Sequence, residues 1–349
     1  MAFNMKNAVY KFTTAVAVAG ILAGCSAGKG GDSFGDAVTL KADSITVNAI
    51  VDPRQWASSG DYAAILGDKT DTALFIFSLP DFDLRYSALT RGEGPDELGM
   101  WPDLHSDNAD DGGFYVEDFS KKFTRLYMPG RDSLSMKASY KMKNIQAIVN
   151  GKKYITSKLN ITDGKKVDYY RLTDWETGDV LDSIATLGVW FTDKIGDYTV
   201  HYQRNSPMCT SYGDKLAIAY AHTGRVDFYD LKDDKFALYK SQGDLRTIEQ
   251  LHDDMPKLKD NAEGSVEEVA SDKNYVYVLE RTKIKEDANG LPTYKCIVKV
   301  YGWDGSCMEM YELDKQVTSM ILHRGSGKLF CYDNALDFEQ VYVYTPKGL

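Results

Sequence analysis

Side chains that bind metals, move protons or form covalent bonds are few in this chain, and their spacing matches little. The five histidines, His105, His201, His222, His252 and His323, stand more than four residues apart, so none forms the HxH or HExxH pair that holds zinc. The acids of "DLHSDNADDGG", Asp103 to Gly113, resemble a calcium loop, because hard cations want several carboxylate or carbonyl oxygens. Laid on the EF-hand template from Asp107, the third position is Ala109 and the twelfth is Asp118. The template fails, and the stretch reads as a polar turn before a strand. "GSGK", Gly325 to Lys328, lacks the GxxxxGK[ST] spacing of a phosphate loop and reads as a hairpin turn. The GxSxG match "GDSFG", Gly31 to Gly35, lies in a Gly- and Ser-rich stretch rather than between a strand and a helix, so it is no nucleophile elbow, although a Ser-His-Asp set needs only to meet in space. No metal site or cofactor is expected, and a divalent cation would have no motif behind it.

One thiol has a context. "MAFNMKNAVYK" carries Lys6 and Lys11 and no acid, and 13 apolar or small residues follow from Phe12 to Gly24. That run is short of the roughly 20 residues a spanning helix needs. It ends in "LAGC", small residues before Cys25, which resembles a bacterial lipobox and implies cleavage before Cys25 and acylation of its sulfur and amino group. Several acyl chains give a stable anchor without a span. Residues 1–24 are thus expected to be a signal peptide. The Gly- and Ser-rich stretch to Asp36 would be a lipidated cysteine and flexible linker, 25–36. Cys209, Cys296, Cys307 and Cys331 match no metal spacing; three of them lie in or beside apolar runs and are expected as buried free thiols.

The formal charge is −10 and becomes more negative when the two leader lysines go. An acidic chain without a basic stripe is a poor nucleic-acid binder. Helical periodicity is nearly absent. Short runs rich in Val, Ile, Tyr and Phe recur between turn signals, the all-β pattern. A polar turn feeds an apolar run six times, at Gly60, Asp110, Asn150, Tyr212, Ser271 and Gly325. Each is followed by a second run, centred on Ser78, Met128, Thr173, Tyr229, Tyr301 and Tyr344. Six such units of about four strands predict a six-bladed β-propeller over 37–349. The last unit stops after its third strand, while "AVTLKADSITVNAIV", Ala37 to Val51, is surplus at the start. Pairing the two closes the ring and removes an exposed edge. Two insertions are expected between the fourth and fifth units. One is a helix in "DLRTIEQLHDDMPKLK" from Asp244, ended by Pro256. The other is a long hairpin turning at Asn289-Gly290.

"RGEGPDEL", Arg91 to Leu98, falls where the chain leaves the rim of the first unit for the centre of the second. Gly92, Gly94 and Pro95 suit a tight corner, and Arg91 is expected to bridge Glu93, Asp96 or Glu97. Crossovers of this kind gather on one face around the channel mouth. Arg91, Glu93, Asp96 and Glu97 are therefore candidate ligand residues, with Trp101 after the corner and Trp190 in "TLGVWFTDKIGDYTVHYQ", read as another crossover, as stacking rings. Ile248 and Leu251 on the helical insertion are candidate protein-docking residues. Lipobox, Gly-rich linker, six β-units and the GxGPxE corner (Gly92, Gly94, Pro95, Glu97) together resemble the TolB-like six-bladed propeller lipoproteins of Gram-negative gut bacteria. That resemblance implies a propeller on a lipid tether and no assigned activity.

The expected function is a lipid-anchored envelope module that binds a protein, a glycan or another small ligand. The alternative is a propeller hydrolase or lactonase with a metal at the channel mouth. Ser26 follows Cys25 and no acidic cluster follows it. The expected location is therefore the outer membrane facing the periplasm, with surface exposure left open.

Overall fold

The computed structural model describes residues 31–347 apart from 50, 69, 108–111, 163–164, 196–197, 259–263, 287–291 and 337. Cys25, the signal segment and the Asn289-Gly290 turn lie outside the described residues. Two short strands lead, β1 (Val38–Leu40) and β2 (Asp43–Thr46). Blade 1 is β3 (Pro53–Ser59), β4 (Tyr62–Gly67), β5 (Thr72–Ser78) and β6 (Asp83–Thr90). Blade 2 is β7 (Pro102–Ser106), β8 (Phe114–Asp118), β9 (Phe123–Pro129) and β10 (Leu134–Lys141). Blade 3 is β11 (Ile145–Val149), β12 (Lys153–Thr162), β13 (Lys165–Asp174) and β14 (Val180–Ala185). A two-stranded hairpin, β15 (Val189–Ile195) and β16 (Tyr198–Arg204), follows. Blade 4 is β17 (Pro207–Tyr212), β18 (Lys215–Tyr220), β19 (Val226–Asp230) and β20 (Ala237–Gln242). Helix α1 (Ile248–Leu258) precedes blade 5, which is β21 (Gly264–Ser271), β22 (Tyr275–Glu286), β23 (Pro292–Gly302) and β24 (Cys307–Leu313). Blade 6 holds β25 (Ser319–His323), β26 (Lys328–Tyr332) and β27 (Gln340–Tyr344).

The six innermost strands, β3, β7, β11, β17, β21 and β25, touch one another in a closed circle. The second and third strands of each blade are sandwiched between neighbouring blades, so both their faces are buried and their sequences run apolar without alternation. Ala63 to Leu66 in β4 are fully buried. Outermost strands alternate, as β14 does with exposed and half-buried residues in turn. Between blades the core is aromatic. Phe77 stacks on Phe82 at 4.7 Å, and Trp56 meets Tyr332 edge-on at 4.7 Å, both at the seam of blades 6 and 1.

That seam is closed as expected. β2 pairs antiparallel with β27, Asp43 opposite Val343 and Thr46 opposite Gln340, as the fourth strand of blade 6. The rest of the N-terminal surplus goes elsewhere. β1 runs parallel to β24, Val38 opposite Tyr311, as a fifth strand of blade 5. The linker is not loose over its described part either. Gly31 bridges Cys307, Asp32 pairs with Lys240 at 2.8 Å, and the Phe34 ring sits 5.0 Å from Tyr301.

The stretch Thr186 to Gln203, read as a crossover, does link β14 to β17 and folds within that link into most of the β15–β16 hairpin. One local reading needs correction. Helix α1 passes Pro256 and continues to Leu258. Its start is a capping box: Thr247 Oγ1 accepts from Gln250 N at 3.3 Å, and Gln250 Oε1 accepts from Thr247 N at 2.8 Å, satisfying donors a helix start leaves open. Cys209, Cys296, Cys307 and Cys331 are free, the last three buried and Cys209 half-buried.

Candidate functional site

Strand direction separates the two faces of the ring. Each innermost strand begins on the side where the previous blade's outermost strand ends. All crossovers, and the turns between second and third strands, therefore share one face, the crossover face. The turns between first and second strands and between third and fourth share the other, the turn face.

The corner "RGEGPDEL" lies on the crossover face and is tied inward. Lys121, from the turn between β8 and β9, donates its ammonium to the carbonyls of Gly92 (2.8 Å), Gly94 (2.6 Å) and Glu97 (2.8 Å). Arg91 makes no carboxylate pair; its guanidinium donates to the carbonyls of Gly67 and Gly99. Glu97 accepts from Gly94 N at 2.7 Å. A side chain at Gly92 would put Cβ 2.0 Å from the Glu97 carboxylate, so Glu97 would have to swing away and give up its bond from Gly94 N. The corner is a carbonyl cage around a lysine from the next blade, which staples blade 1 to blade 2. Glu93 and Asp96 stay exposed at its tip, and Asp96 reaches Arg125 only at 4.0 Å.

Beyond the corner the chain turns outward. Met100 and Trp101 are 70% and 60% exposed, and Trp101 has φ of +65°, a region a bulky side chain enters only at a cost of about 1–3 kcal/mol. The Arg54 guanidinium covers one face of the indole at 5.0 Å and reaches Asp103 at 3.3 Å. Burial, partly offset by His105 and Arg54, holds the Asp103 carboxyl above its usual range. A cleft of about 560 Å³ on the same face is lined by Asn48, Asp52, Pro53, Asn334, Leu336 and Phe338, and Pro53 adjoins Arg54.

Trp190 is placed differently, on the β15–β16 hairpin. Its Nε1 donates to the buried Asp168 carboxylate at 2.9 Å, and Lys166 lies 5.4 Å from its ring. Blades 2 and 3 separate the Trp101 crossover from the Trp190 hairpin. Ile248 and Leu251 pack with Val189 and Phe191. Leu251 is fully buried, so this side of α1 holds the hairpin down rather than facing outward.

Two carboxylates, one buried and one half-buried, were invisible in the sequence. Glu117 in β8 accepts from Thr124 Oγ1 and from the backbone N–H groups of Lys143, Asn144 and Ile145 at 2.6–3.0 Å. Glu268 in β21 lines the channel wall, where Ser319 Oγ donates to it at 3.2 Å and Trp56 Nε1 donates to Ser319 at 2.7 Å. Burial pushes the Glu268 carboxyl up to about 7. An acid whose folded value is raised binds its proton more tightly when folded, so stability falls as pH rises from the ordinary glutamate range through about 7. Glu268→Gln removes that cost. Denaturant titration is expected to find the variant about 3 kcal/mol more stable than wild type at pH 8.5 and within about 1 kcal/mol of it at pH 5. An equal offset at both pH values would rule out titration of Glu268 as the cause.

The opposite mouth, on the turn face, is a polar hollow of about 390 Å³ lined by Asp61, Tyr212, Asp272, Lys273 and Arg324. "GSGK" forms the turn between β25 and β26 beside it, as read from sequence. Among the described residues no group of three or more His, Cys, Asp or Glu is arranged to hold a metal, and no helix is long and apolar enough to cross a membrane.

Comparison with protein-family models and with curated proteins finds no match. Solved structures do resemble the chain. A protein of Bacteroides fragilis described as a candidate exported protein superposes with a TM-score of 0.55 at 10% identity, over 87% of this chain and 94% of that one. BamB of Moraxella catarrhalis gives 0.39 at 10% identity, over 88% and 100%. A candidate 6-phosphogluconolactonase of Bacteroides fragilis gives 0.36 at 11% identity, over 79% and 74%. The first likeness speaks to fold alone, and the other two carry no argument. The chain is an all-β six-bladed propeller similar in architecture to that Bacteroides protein.

Proposed function

We propose that this protein is a lipid-anchored envelope propeller that binds a polypeptide partner on its crossover face. One observation carries the reading. Among the described residues, every large apolar side chain at least 60% exposed belongs to that face: Met100, Trp101, Ile161, Tyr198, Leu245, Ile284 and Leu336. Among the described residues, the larger insertions between strands rise there too: the β15–β16 hairpin, α1 and the long β12–β13 and β22–β23 hairpins. Exposed apolar groups spread over several blades suit a broad partner better than a small ligand, since exposed patches of this kind mark interaction sites. The lipobox at Cys25 and the GxGPxE corner support the TolB-like lipoprotein part of the reading.

Trp101→Gly tests it, because glycine relieves the positive φ while removing the ring. The variant is expected to melt at or above the wild-type temperature and to lose at least tenfold in affinity for partners captured from envelope membranes by crosslinking to the crossover face. Unchanged capture, or crosslinks that map to the turn face, would refute the site. A thermal shift with an oligosaccharide that Trp101→Gly abolishes would make the face a glycan site instead.

A further inference from the structure

The N-terminal strap settles where the chain leaves the ring. Gly31 and Cys307 exchange both backbone hydrogen bonds, at 3.1 and 2.7 Å. Cys307 opens β24 directly after the turn Trp303–Ser306, and Trp303 Nε1 donates to the Asp272 carbonyl in the neighbouring turn of the same blade at 2.8 Å. Gly31 therefore stands at the rim of the turn face. Asp32 on Lys240 and Phe34 on Tyr301 hold it there, and β1 then climbs alongside β24 toward the crossover face.

We infer that the strap aims the molecule. The lipid surface that holds Cys25 lies on the turn-face side, and the crossover face points away from it. The inference rests on the reading of Cys25 as the anchor. Cys25 to Gly30 is six residues, which span at most about 20 Å when extended, so Gly31 stays within that distance of the head groups. The turn face is kept off the lipid itself. Its described turns show none of the large, highly exposed apolar side chains needed for insertion, and they carry acids such as Asp61, Asp132, Asp179, Asp233 and Asp304, which anionic head groups repel. A short tether at one rim with a non-adhesive face beneath leaves the opposite face presented outward.

The test uses the full chain, expressed with its own leader, purified from membranes and reconstituted in vesicles carrying a head-group energy-transfer acceptor. Donors are attached at Asp233→Cys, in the blade 4 turn on the turn face, and at Leu245→Cys, on the crossover side of the same blade. Protein without an added cysteine sets the background from the native thiols. Transfer at least twofold higher from position 233 than from position 245 is expected, and the difference should narrow in Asp32→Ala, Phe34→Ala protein, whose strap is released. Equal or reversed transfer in protein that floats with the vesicles overturns the orientation and leaves the anchor standing. Protein that does not float overturns both.

Discussion

Glu117→Ala is expected to destabilise the protein by about 3–5 kcal/mol, the scale for removing one partner from a buried charged network. Glu117 is fully buried, and its carboxylate gathers three consecutive N–H groups, Lys143 to Ile145, at the crossover that delivers the chain from blade 2 to blade 3. Without it those donors face a void. Burial alone would raise the carboxyl, but His105 at 3.5 Å, Thr124 and Ile145 N outweigh it and hold the group below its ordinary range. A carboxylate that accepts several backbone N–H bonds behaves this way. With the folded value depressed, the stabilisation is complete above the ordinary glutamate range and is lost as pH falls through the folded value. Glu117→Gln should thus differ from wild type most at pH 7 and progressively less below about pH 4. Denaturant curves at several pH values check both. A pH-independent difference would mean that shape, not charge, makes the contribution.

Deleting residues 31–46 should have an effect of similar size on stability and a second one on association. It removes the fourth strand of blade 6 and the fifth of blade 5 together with the Phe34, Leu40 and Ile45 contacts. At about 1.5–3 kcal/mol per buried apolar side chain, the loss is roughly 5 kcal/mol, a fall of roughly 10 °C in melting temperature for a domain of this size. The exposed edge of β27 would also template pairing between molecules, so light scattering and size exclusion should show concentration-dependent association. A permuted chain that restores residues 31–46 through a linker after residue 347 should recover both properties. A deletion variant that stays monomeric and melts within about 2 °C of wild type would show that the closure is dispensable.

Much of this architecture was legible because propeller strands announce themselves locally. Ser78, Met128, Thr173, Tyr229, Tyr301 and Tyr344 all fall in third strands, since each blade repeats the same polar turn and doubly buried run. What stayed hidden depended on distant partners. "AVTLKADSITV" looks like one strand, but it divides near Ala42, where Asp314 accepts the backbone N–H as the chain passes from blade 5 to blade 6. Phe34 was an available signal that the Gly- and Ser-rich segment is docked, being its lone aromatic. Glu117 and Glu268 sit inside apolar runs, and only the fold brings Ile145 or Ser319 to them. The tight corner was legible from Gly92, Gly94 and Pro95, but the carboxylate pair expected for Arg91 gives way to carbonyl contacts, and the tie comes from Lys121 of the next blade, which no local pattern pairs with Gly92 or Gly94.

Blade 6 takes its outermost strand from one end of the chain and the rest from the other, β2 against β27. Its completion is therefore a matter of timing. β2 has to wait, unpaired, until nearly three hundred later residues have emerged, whereas blades 1 to 4 can form from contiguous sequence as they appear. A chain emerging in order thus stays unsealed, with open edges and exposed apolar surface, until β27 arrives. Sealing is then a single late event. A kinetic defect in that step would show as lost yield rather than as an altered native structure.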